Sequence, residues 1–190
     1  MPRYDVPKAA PDPLRLVQRF VNTADHEHGR ELLATPAQLT EWMDDAGLEG
    51  AASVTDADAA RARELREALR ELLVANRAGV AASPAAVAAV NQAARAGRLG
   101  IRVDADGRPH VVPERAGVQG ALAQIVGVSL TAMLDGSWAR LKACRNCRWA
   151  FYDYSRNRSA AWCSMSICGN RLKTRRYRAR KGAPGRAKSA

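Results

Sequence analysis

The chain has 190 residues and a formal net charge of +11, but this charge is unevenly distributed. Residues 1–137 contain 15 basic and 18 acidic residues, whereas residues 138–190 contain 15 basic residues and a single acid, Asp153. The hydrophobic fraction of 47% excludes a chain that is disordered throughout, and no run of 18 apolar residues predicts a transmembrane helix. The Pro-rich start lacks the apolar segment of a secretory signal. We therefore predict a cytoplasmic protein with a mildly acidic body and a strongly basic end.

The body is predicted to be mainly helical. Residues 1–11 form a disordered or extended leader, and a polar loop over residues 22–29 follows the first helix. N-cap residues, apolar spacing and terminal glycines predict four helices that begin near Pro13, Pro36, Asp56 and Pro84. A fifth helical stretch contains the apolar residues from Leu122 to Leu134 and ends at Asp135-Gly136. Alternating residues around Asp104-Ala105-Asp106-Gly107 predict one small β-hairpin between Ile101 and Val112. The body, residues 12–136, is long enough to bury a core of its own.

The four cysteines lie within 25 residues of one another in the basic end. They are spaced as Cys-x2-Cys, fifteen residues and Cys-x4-Cys, and they are Cys144, Cys147, Cys163 and Cys168. A Cys-x2-Cys turn brings two thiolates close enough to share a Zn²⁺ ion, and four sulfur ligands leave no open position for water or substrate. Paired cysteines in a reducing compartment more often bind a metal than form disulfides. We predict one structural zinc ion; the alternatives are free cysteines or a redox pair at Cys144 and Cys147.

The residues around the cysteines predict a treble-clef-like zinc finger over residues 138–181. The alternating aromatic residues from Trp149 to Tyr154 favour a short hairpin between the two cysteine pairs. Ser164 is positioned to cap a helix that carries Cys168, and the positive end of that helix favours thiolates. Metal binding should supply most of the folding free energy of so small a unit. Residues 182–190 are predicted to be a disordered basic tail.

The basic residues of the finger and its helix form the predicted nucleic-acid surface. No acidic residue follows Asp153, and single-sign charge of this density attracts polyanions. The helix lacks the apolar face of a membrane-surface helix, so we expect no membrane partner. The predicted contact residues are Arg145, Arg148, Arg156, Arg158, Arg171, Lys173, Arg175, Arg176, Arg178, Arg180 and Lys181.

Several motifs are similar to those of a known family. Cys168-Gly169-Asn170-Arg171, together with Trp162-Cys163-Ser164-Met165 upstream, resembles the CGNR zinc finger at the C-terminus of many bacterial proteins. The body resembles the ABATE domain that usually precedes this finger, through Phe20-Val21-Asn22-Thr23, the run from Leu33 to Trp42, and Leu65-Arg66-Glu67-Ala68. The resemblance covers residues 12–181. It implies a stress-induced transcription regulator whose four cysteines bind zinc and whose finger binds DNA.

Three motif residues after the last cysteine ligand have alternative roles. Gly169 permits a close backbone approach or an unusual φ behind the ligand. Asn170 either hydrogen-bonds the backbone of the knuckle, which we favour, or reads adenine. Arg171 either contacts phosphate or braces the finger.

A regulator needs an input, and the body offers one polar cluster for it. Asn22 and Thr23 are candidates for lining a small-ligand pocket, with helix termination as the alternative reading. His26 and His28 are candidates for metal binding, although solvated side chains are the simpler reading. Trp42 and Trp138 are predicted to be core residues. A homodimer and a small-molecule effector are both possible.

Two other functions compete with DNA binding. The first is RNA binding, in which exposed aromatic side chains of the finger stack on unpaired bases, although we expect most of them to pack inside the finger. The second is an enzyme with a basic localising tail, for which no nucleophile–base pair and no open metal site is evident. We therefore predict a DNA-binding regulator that is not an enzyme.

Overall fold

The computed structural model describes residues 8–48, 53–171 and 174. The described chain is 53% helical and contains five α-helices, which confirms the mainly α fold class. The basic helix predicted after Cys168 lies almost entirely outside the described residues. The helices are α1 (Leu14–Val21), α2 (Pro36–Asp45), α3 (Asp56–Ala78), α4 (Pro84–Ala96) and α5 (Gly117–Asp135).

Three antiparallel sheets of two strands each lie between or after the helices of the described chain. They pair β1 (Ala24–Asp25) with β2 (Arg30–Glu31), β3 (Leu99–Val103) with β4 (Pro109–Pro113), and β5 (Leu141–Ala143) with β6 (Ala150–Tyr152). The second pair confirms the hairpin predicted in the body. The first pair closes the segment predicted as a polar loop, and two-residue strands of this kind are too short for a sequence pattern to indicate.

Local signals set the helix ends where the sequence predicts them. Thr35 and Thr55 each accept a hydrogen bond from the backbone three residues ahead, and the side chains of Gln38 and Asp58 bond back to the N-cap backbone. Both are capping boxes, which satisfy backbone N–H groups that the first helical turn leaves unpaired. Gly79 ends α3 in the left-handed conformation, which glycine adopts without steric cost.

Helix α5 is the apolar centre of the body. By length and composition it could cross a membrane, with a mean hydropathy of 1.5, but 56% of that window is buried inside the protein. It packs against α1, α4 and β4. The approach of α4 is so close that a Cβ at Gly97 would lie 2.2 Å from the Cβ of Ala123. This packing is that of a core helix.

The apolar core continues from the body into the basic end of the chain. Helix α5 is followed by a short turn, Ser137–Arg140, which leads into β5. Side chains of β5 and β6 then join the core formed by α1, α3 and α5. The four that do so are Leu141, Ala143, Ala150 and Tyr152. The predicted boundary near residue 137 therefore separates two segments whose apolar side chains share one core.

Residues 8–11 are ordered, whereas the sequence predicts a disordered or extended leader there. The carbonyl oxygen of Lys8 accepts a hydrogen bond of 2.9 Å from the backbone N–H of Tyr152, and Ala10 is 4% exposed. The N–H of Ala10 donates to the side chain of Gln18 at 2.6 Å. This short stretch is therefore held against β6, which lies more than 140 residues away along the chain. Local sequence does not indicate so distant a partner.

Candidate metal centre and nucleic-acid interface

The first cysteine pair forms the turn between β5 and β6. Because side chains alternate along a strand, the residues after this turn point to two different clusters. Trp149 and Phe151 pack with the four cysteines, whereas Ala150 and Tyr152 pack into the core of the body. The predicted hairpin therefore exists, but it encloses Cys144 and Cys147 instead of lying between the two cysteine pairs. Strand β6 fastens the metal site to the helical body.

The sulfur positions match a tetrahedral zinc site. The Sγ atoms of Cys147, Cys163 and Cys168 lie 3.6–3.7 Å apart, and Cys144 Sγ lies within 4.8 Å of each. Four sulfurs about 2.3 Å from a tetrahedral Zn²⁺ are about 3.8 Å apart, whereas disulfide sulfurs are about 2.05 Å apart. All four cysteines are buried. The four cysteine ligands fit one structural zinc ion and leave no open coordination position for a substrate.

The thiols of Cys144, Cys147 and Cys163 shift one another's pKa values. Hydrogen bonds from the thiols of Cys147 and Cys163 lower the pKa of Cys144. The hydrogen bond with Cys144 in turn raises the pKa of Cys147 to about 12, and contacts with Cys144 and Cys147 raise the pKa of Cys163. Such a cluster readily holds one thiolate, whereas four adjacent thiolates require the positive charge of a metal ion.

The second cysteine pair is positioned by a tight helical turn. Ser164 caps this turn by accepting a hydrogen bond from the N–H of Ile167, as predicted, and the turn itself, Met165–Gly169, is a π-helix. A Cβ on Gly169 would lie 2.4 Å from Met165 Sδ, so Gly169 permits close side-chain packing. The amide of Asn146 approaches Cys168 Sγ at 3.7 Å, which places a hydrogen-bond donor beside a thiolate ligand. No sequence motif marks Asn146 as functional, although it lies inside the Cys-x2-Cys turn.

Asp153, the only acid of the basic end, is fully buried and neutralised. Its carboxylate accepts hydrogen bonds from Lys142 Nζ at 2.7 Å and from the backbone N–H groups of Ser155 and Ala160. Burial acts to raise the pKa of Asp153, but the hydrogen bond from Lys142 and those from the loop outweigh it and hold the pKa well below its usual range. Lys142 also donates to the carbonyl of Arg158. The outer surface of the described finger therefore contains no carboxylate of its own.

Five of the predicted nucleic-acid residues lie among the described residues, and all five are exposed. They are Arg145, Arg148, Arg156, Arg158 and Arg171. The guanidinium groups of the first four form no ion pair with any carboxylate among the described residues. The other predicted contact residues lie outside the described part of the chain: Lys173, Arg175, Arg176, Arg178, Arg180 and Lys181.

Arg171 connects the finger to the body. Its guanidinium forms an ion pair with Glu27, in the segment between β1 and β2, while half of the Arg171 side chain stays exposed. Asn170 is exposed, and its side chain makes no hydrogen bond to the knuckle within the described residues; Asn146 is the amide found there instead. The ion pair with Glu27 therefore shows Arg171 in its bracing role.

The two residues predicted to line a ligand pocket are buried at the junction of body and finger. The side chain of Asn22 donates to the carbonyl of Ala150 at 3.0 Å and accepts from its N–H at 2.7 Å. Thr23 donates to the carbonyl of Phe20 at 2.8 Å. Both residues also line a cavity of about 430 Å³, together with Trp149 of the finger.

Two polar side chains of α3, those of Arg70 and Asn76, also form hydrogen bonds across this junction. Arg70, which is 3% exposed, donates to the carbonyl of Arg148 at 3.0 Å and to that of Val21 at 2.6 Å. Asn76 donates to the carbonyls of Trp138 and Leu141. No sequence motif marked these side chains, because each bonds a backbone group far away along the chain.

The histidines of the polar loop lie against carboxylates, and the metal-binding cluster of the described residues does not include them. His26 lies 3.4 Å from Glu67, and His28 Nδ1 lies 2.7 Å from the buried carboxylate of Asp25. Across residues 8–48, 53–171 and 174, the four cysteines form the one cluster of three or more side chains able to hold a metal. Trp42 and Trp138 are buried, as predicted for core residues.

Together the described residues define a helical protein that carries a structural four-cysteine zinc centre on a shared core. Residues 14–137 match the model of the ABATE family, described as a putative stress-induced transcription regulator, and residues 140–181 match the CGNR zinc finger. The chain belongs to the ABATE family, with a CGNR zinc finger at its C-terminal end. No curated protein shows a significant match to it.

Proposed function

We propose that this protein is a cytoplasmic transcription regulator that binds DNA through its zinc finger and basic C-terminal segment. The observation that carries the proposal is the charge distribution of the described finger. Its one carboxylate, Asp153, is buried against Lys142, whereas Arg145, Arg148, Arg156 and Arg158 are exposed and form no ion pair with a described carboxylate. Cations arranged in this way neutralise phosphates and release counterions on binding. The family description supports a regulatory role over a catalytic one.

The aromatic residues of the finger favour DNA over single-stranded RNA. Trp149, Phe151 and Tyr152 are buried, so they do not present ring faces to unpaired bases. Tyr154 is 61% exposed, but its hydroxyl donates to the carbonyl of Ala9 at 2.7 Å. Trp162 is half-buried, so Tyr154 is the one exposed ring among the described residues of the finger, and a single fixed ring is a poor stacking platform. The helical body then serves to sense a ligand or to form a homodimer, and both roles remain part of the proposal.

The test measures the affinity of zinc-loaded protein for a randomised DNA duplex as salt is raised. If about five phosphates are neutralised, the slope of log K against log salt is about −4.5. Replacing Arg156 and Arg158 by Gln should make this slope shallower by about 1.8. The matched control replaces Arg102 and Arg108 by Gln, which removes two exposed charges from the hairpin of the body.

Two results would overturn the proposal. The first is an affinity that does not change with salt, and the second is an equal loss of slope in the finger and hairpin variants. Competition with single-stranded RNA separates the two nucleic acids: RNA that displaces the duplex at equal concentration contradicts the DNA assignment. Selection of bound genomic fragments with intact and zinc-stripped protein then tests sequence preference.

A further inference from the structure

One cavity among the described residues lies where the body meets the finger. It measures about 430 Å³, which is within the range of small-molecule sites. Its aromatic walls come from both parts of the protein, Trp42 from α2 and Trp149 from the zinc knuckle. Trp42 is 8% exposed and Trp149 is 4% exposed, so both rings are held by packing. A flat apolar group entering the cavity would meet indole surfaces with little loss of side-chain entropy.

The polar groups at the floor of the cavity are already used within the protein. Asn22 and Gln18 bond the backbone of Ala150, and Gln18 also accepts from the N–H of Ala10. Thr23 donates to the carbonyl of Phe20. These groups shape the floor, and a ligand competing for them would break existing hydrogen bonds. The free hydrogen-bonding capacity of the cavity therefore lies at its rim.

The rim has a net positive charge. Arg15 and Arg19 lie one helical turn apart on the same face of α1, and both line the cavity. Arg19 donates to the backbone carbonyl of Asp45 at 3.2 Å, while no described residue forms a hydrogen bond or ion pair with the guanidinium of Arg15. The Asp45 side chain adds one carboxylate to the same rim. Two guanidinium groups against one carboxylate favour an anion, and a guanidinium binds a carboxylate with two parallel hydrogen bonds.

We infer that this junction cavity binds a small planar carboxylate, whose ring lies between Trp42 and Trp149 and whose carboxylate bonds Arg15 and Arg19. The inference deepens the sensing role in the proposed function and rests on it for its biological meaning. Trp149 is two residues from the zinc ligand Cys147, and its neighbour Ala150 is bonded to Asn22. A ligand in the cavity thus touches both the helical body and the zinc knuckle, so its binding stabilises their junction.

The test titrates zinc-loaded, full-length protein with benzoate, salicylate and indole-3-carboxylate in a calorimeter. Benzamide and acetate are matched probes that lack the charge and the ring, respectively. We expect saturable binding of at least one aryl carboxylate. Both control probes should bind at least about tenfold more weakly than that carboxylate. Arg15→Ala and Arg19→Ala should each lower the affinity about tenfold or more, because each removes a charge-assisted hydrogen bond. Arg102→Ala removes an exposed charge from β3 and should leave the affinity unchanged.

Two outcomes would overturn the inference. One is the absence of saturable binding by all three aryl carboxylates up to about 10 mM, a limit set by the weakest affinities that calorimetry resolves. The other is equal affinity in the Arg15→Ala, Arg19→Ala and Arg102→Ala variants. The titration contains no DNA, so its failure leaves the DNA-binding proposal standing, and failure of DNA binding leaves the titration result standing.

Discussion

The side chain of Asn22 forms two hydrogen bonds with the backbone of Ala150, donating to its carbonyl and accepting from its N–H. Ala150 is fully buried in β6, one residue from Trp149, whose ring packs with the cysteines. The first helix is thereby joined to the zinc knuckle across 128 residues of chain. A residue that the sequence offers as a helix end or a ligand contact is the polar link between the two parts.

Loss of this link should destabilise the protein. In Asn22→Ala, the carbonyl of Ala150 keeps its hydrogen bond from Gln18, but the buried N–H loses its acceptor. We expect the free energy of unfolding to fall by about 1–3 kcal/mol. Urea unfolding followed by circular dichroism measures the change, with Asn91→Ala on the exposed face of α4 as the control. Equal stability of the two variants would show that the link contributes nothing.

Zinc should be required for the basic end to fold. Metal analysis of the purified protein should give about one zinc per chain, and Cys163→Ser should lose most of it because three sulfurs leave the tetrahedron open. Ser166→Ala, an exposed change within the same turn, should retain the metal. Because Ala150 and Tyr152 belong to the core of the body, chelation should also lower the unfolding temperature of the helices. A finger that stays folded and protease-resistant without metal would contradict this prediction.

The Lys142–Asp153 pair should make stability depend on pH. The pKa of Asp153 is lowered by folding, so its contribution is present above the unfolded value, about 3.9, and is lost as pH falls through the folded value. In Asp153→Asn, Lys142 remains buried without its counter-charge, and we expect a loss of about 3–5 kcal/mol near pH 7. The difference in unfolding free energy between wild type and variant should shrink below about pH 4. Asp106→Asn, in the exposed turn of the hairpin, is the charge control.

An unchanged difference between pH 7 and pH 3 would contradict the assignment of this dependence to Asp153. Zinc is kept in excess throughout, and metal content is measured at each pH. Loss of the ion at low pH then appears in both proteins and is not mistaken for titration of the carboxylate.

The Arg171–Glu27 ion pair should compete with DNA. Glu27→Gln frees the guanidinium of Arg171 for one additional phosphate, so the salt slope should become steeper by about 0.9. Stability should change by less than about 1 kcal/mol, because half of the Arg171 side chain is exposed. Glu41→Gln removes the same charge from the exposed surface of α2 and should leave the slope unchanged. Identical slopes in the two variants would show that Arg171 does not reach DNA.

Truncation after Gly136 tests how far the two segments depend on each other. The domain boundary predicted from the sequence implies a folded helical product that no longer binds DNA. In the structure, removal of β5 and β6 uncovers the core face that Leu141 and Tyr152 cover, so we expect a lower unfolding temperature and binding of a hydrophobic dye. Calorimetry on residues 8–136 and on the full chain measures this difference. Equal unfolding temperatures would establish the body as an independent domain.

The sequence by itself determined the features that are written in short-range spacing. The four zinc ligands, the N-caps at Thr35 and Thr55 and the end of α3 at Gly79 all depend on residues a few positions apart. Two cysteines with two residues between them can meet in almost any tertiary context. The same holds for a threonine side chain and the backbone N–H three residues ahead. Residue types therefore sufficed to place these features.

Only the tertiary structure decided what the remaining polar residues do. Asn22 meets Ala150, Arg171 meets Glu27 and Lys8 meets Tyr152, each pair separated by more than 120 residues. Their hydrogen bonds go largely to backbone groups, which carry no residue identity that a motif could reveal. The charge asymmetry of the sequence was real, but the structure decided which charges are free. It buries Asp153 with Lys142 and leaves Arg145, Arg148, Arg156 and Arg158 exposed, because an unpaired buried charge is costly and an exposed one is not.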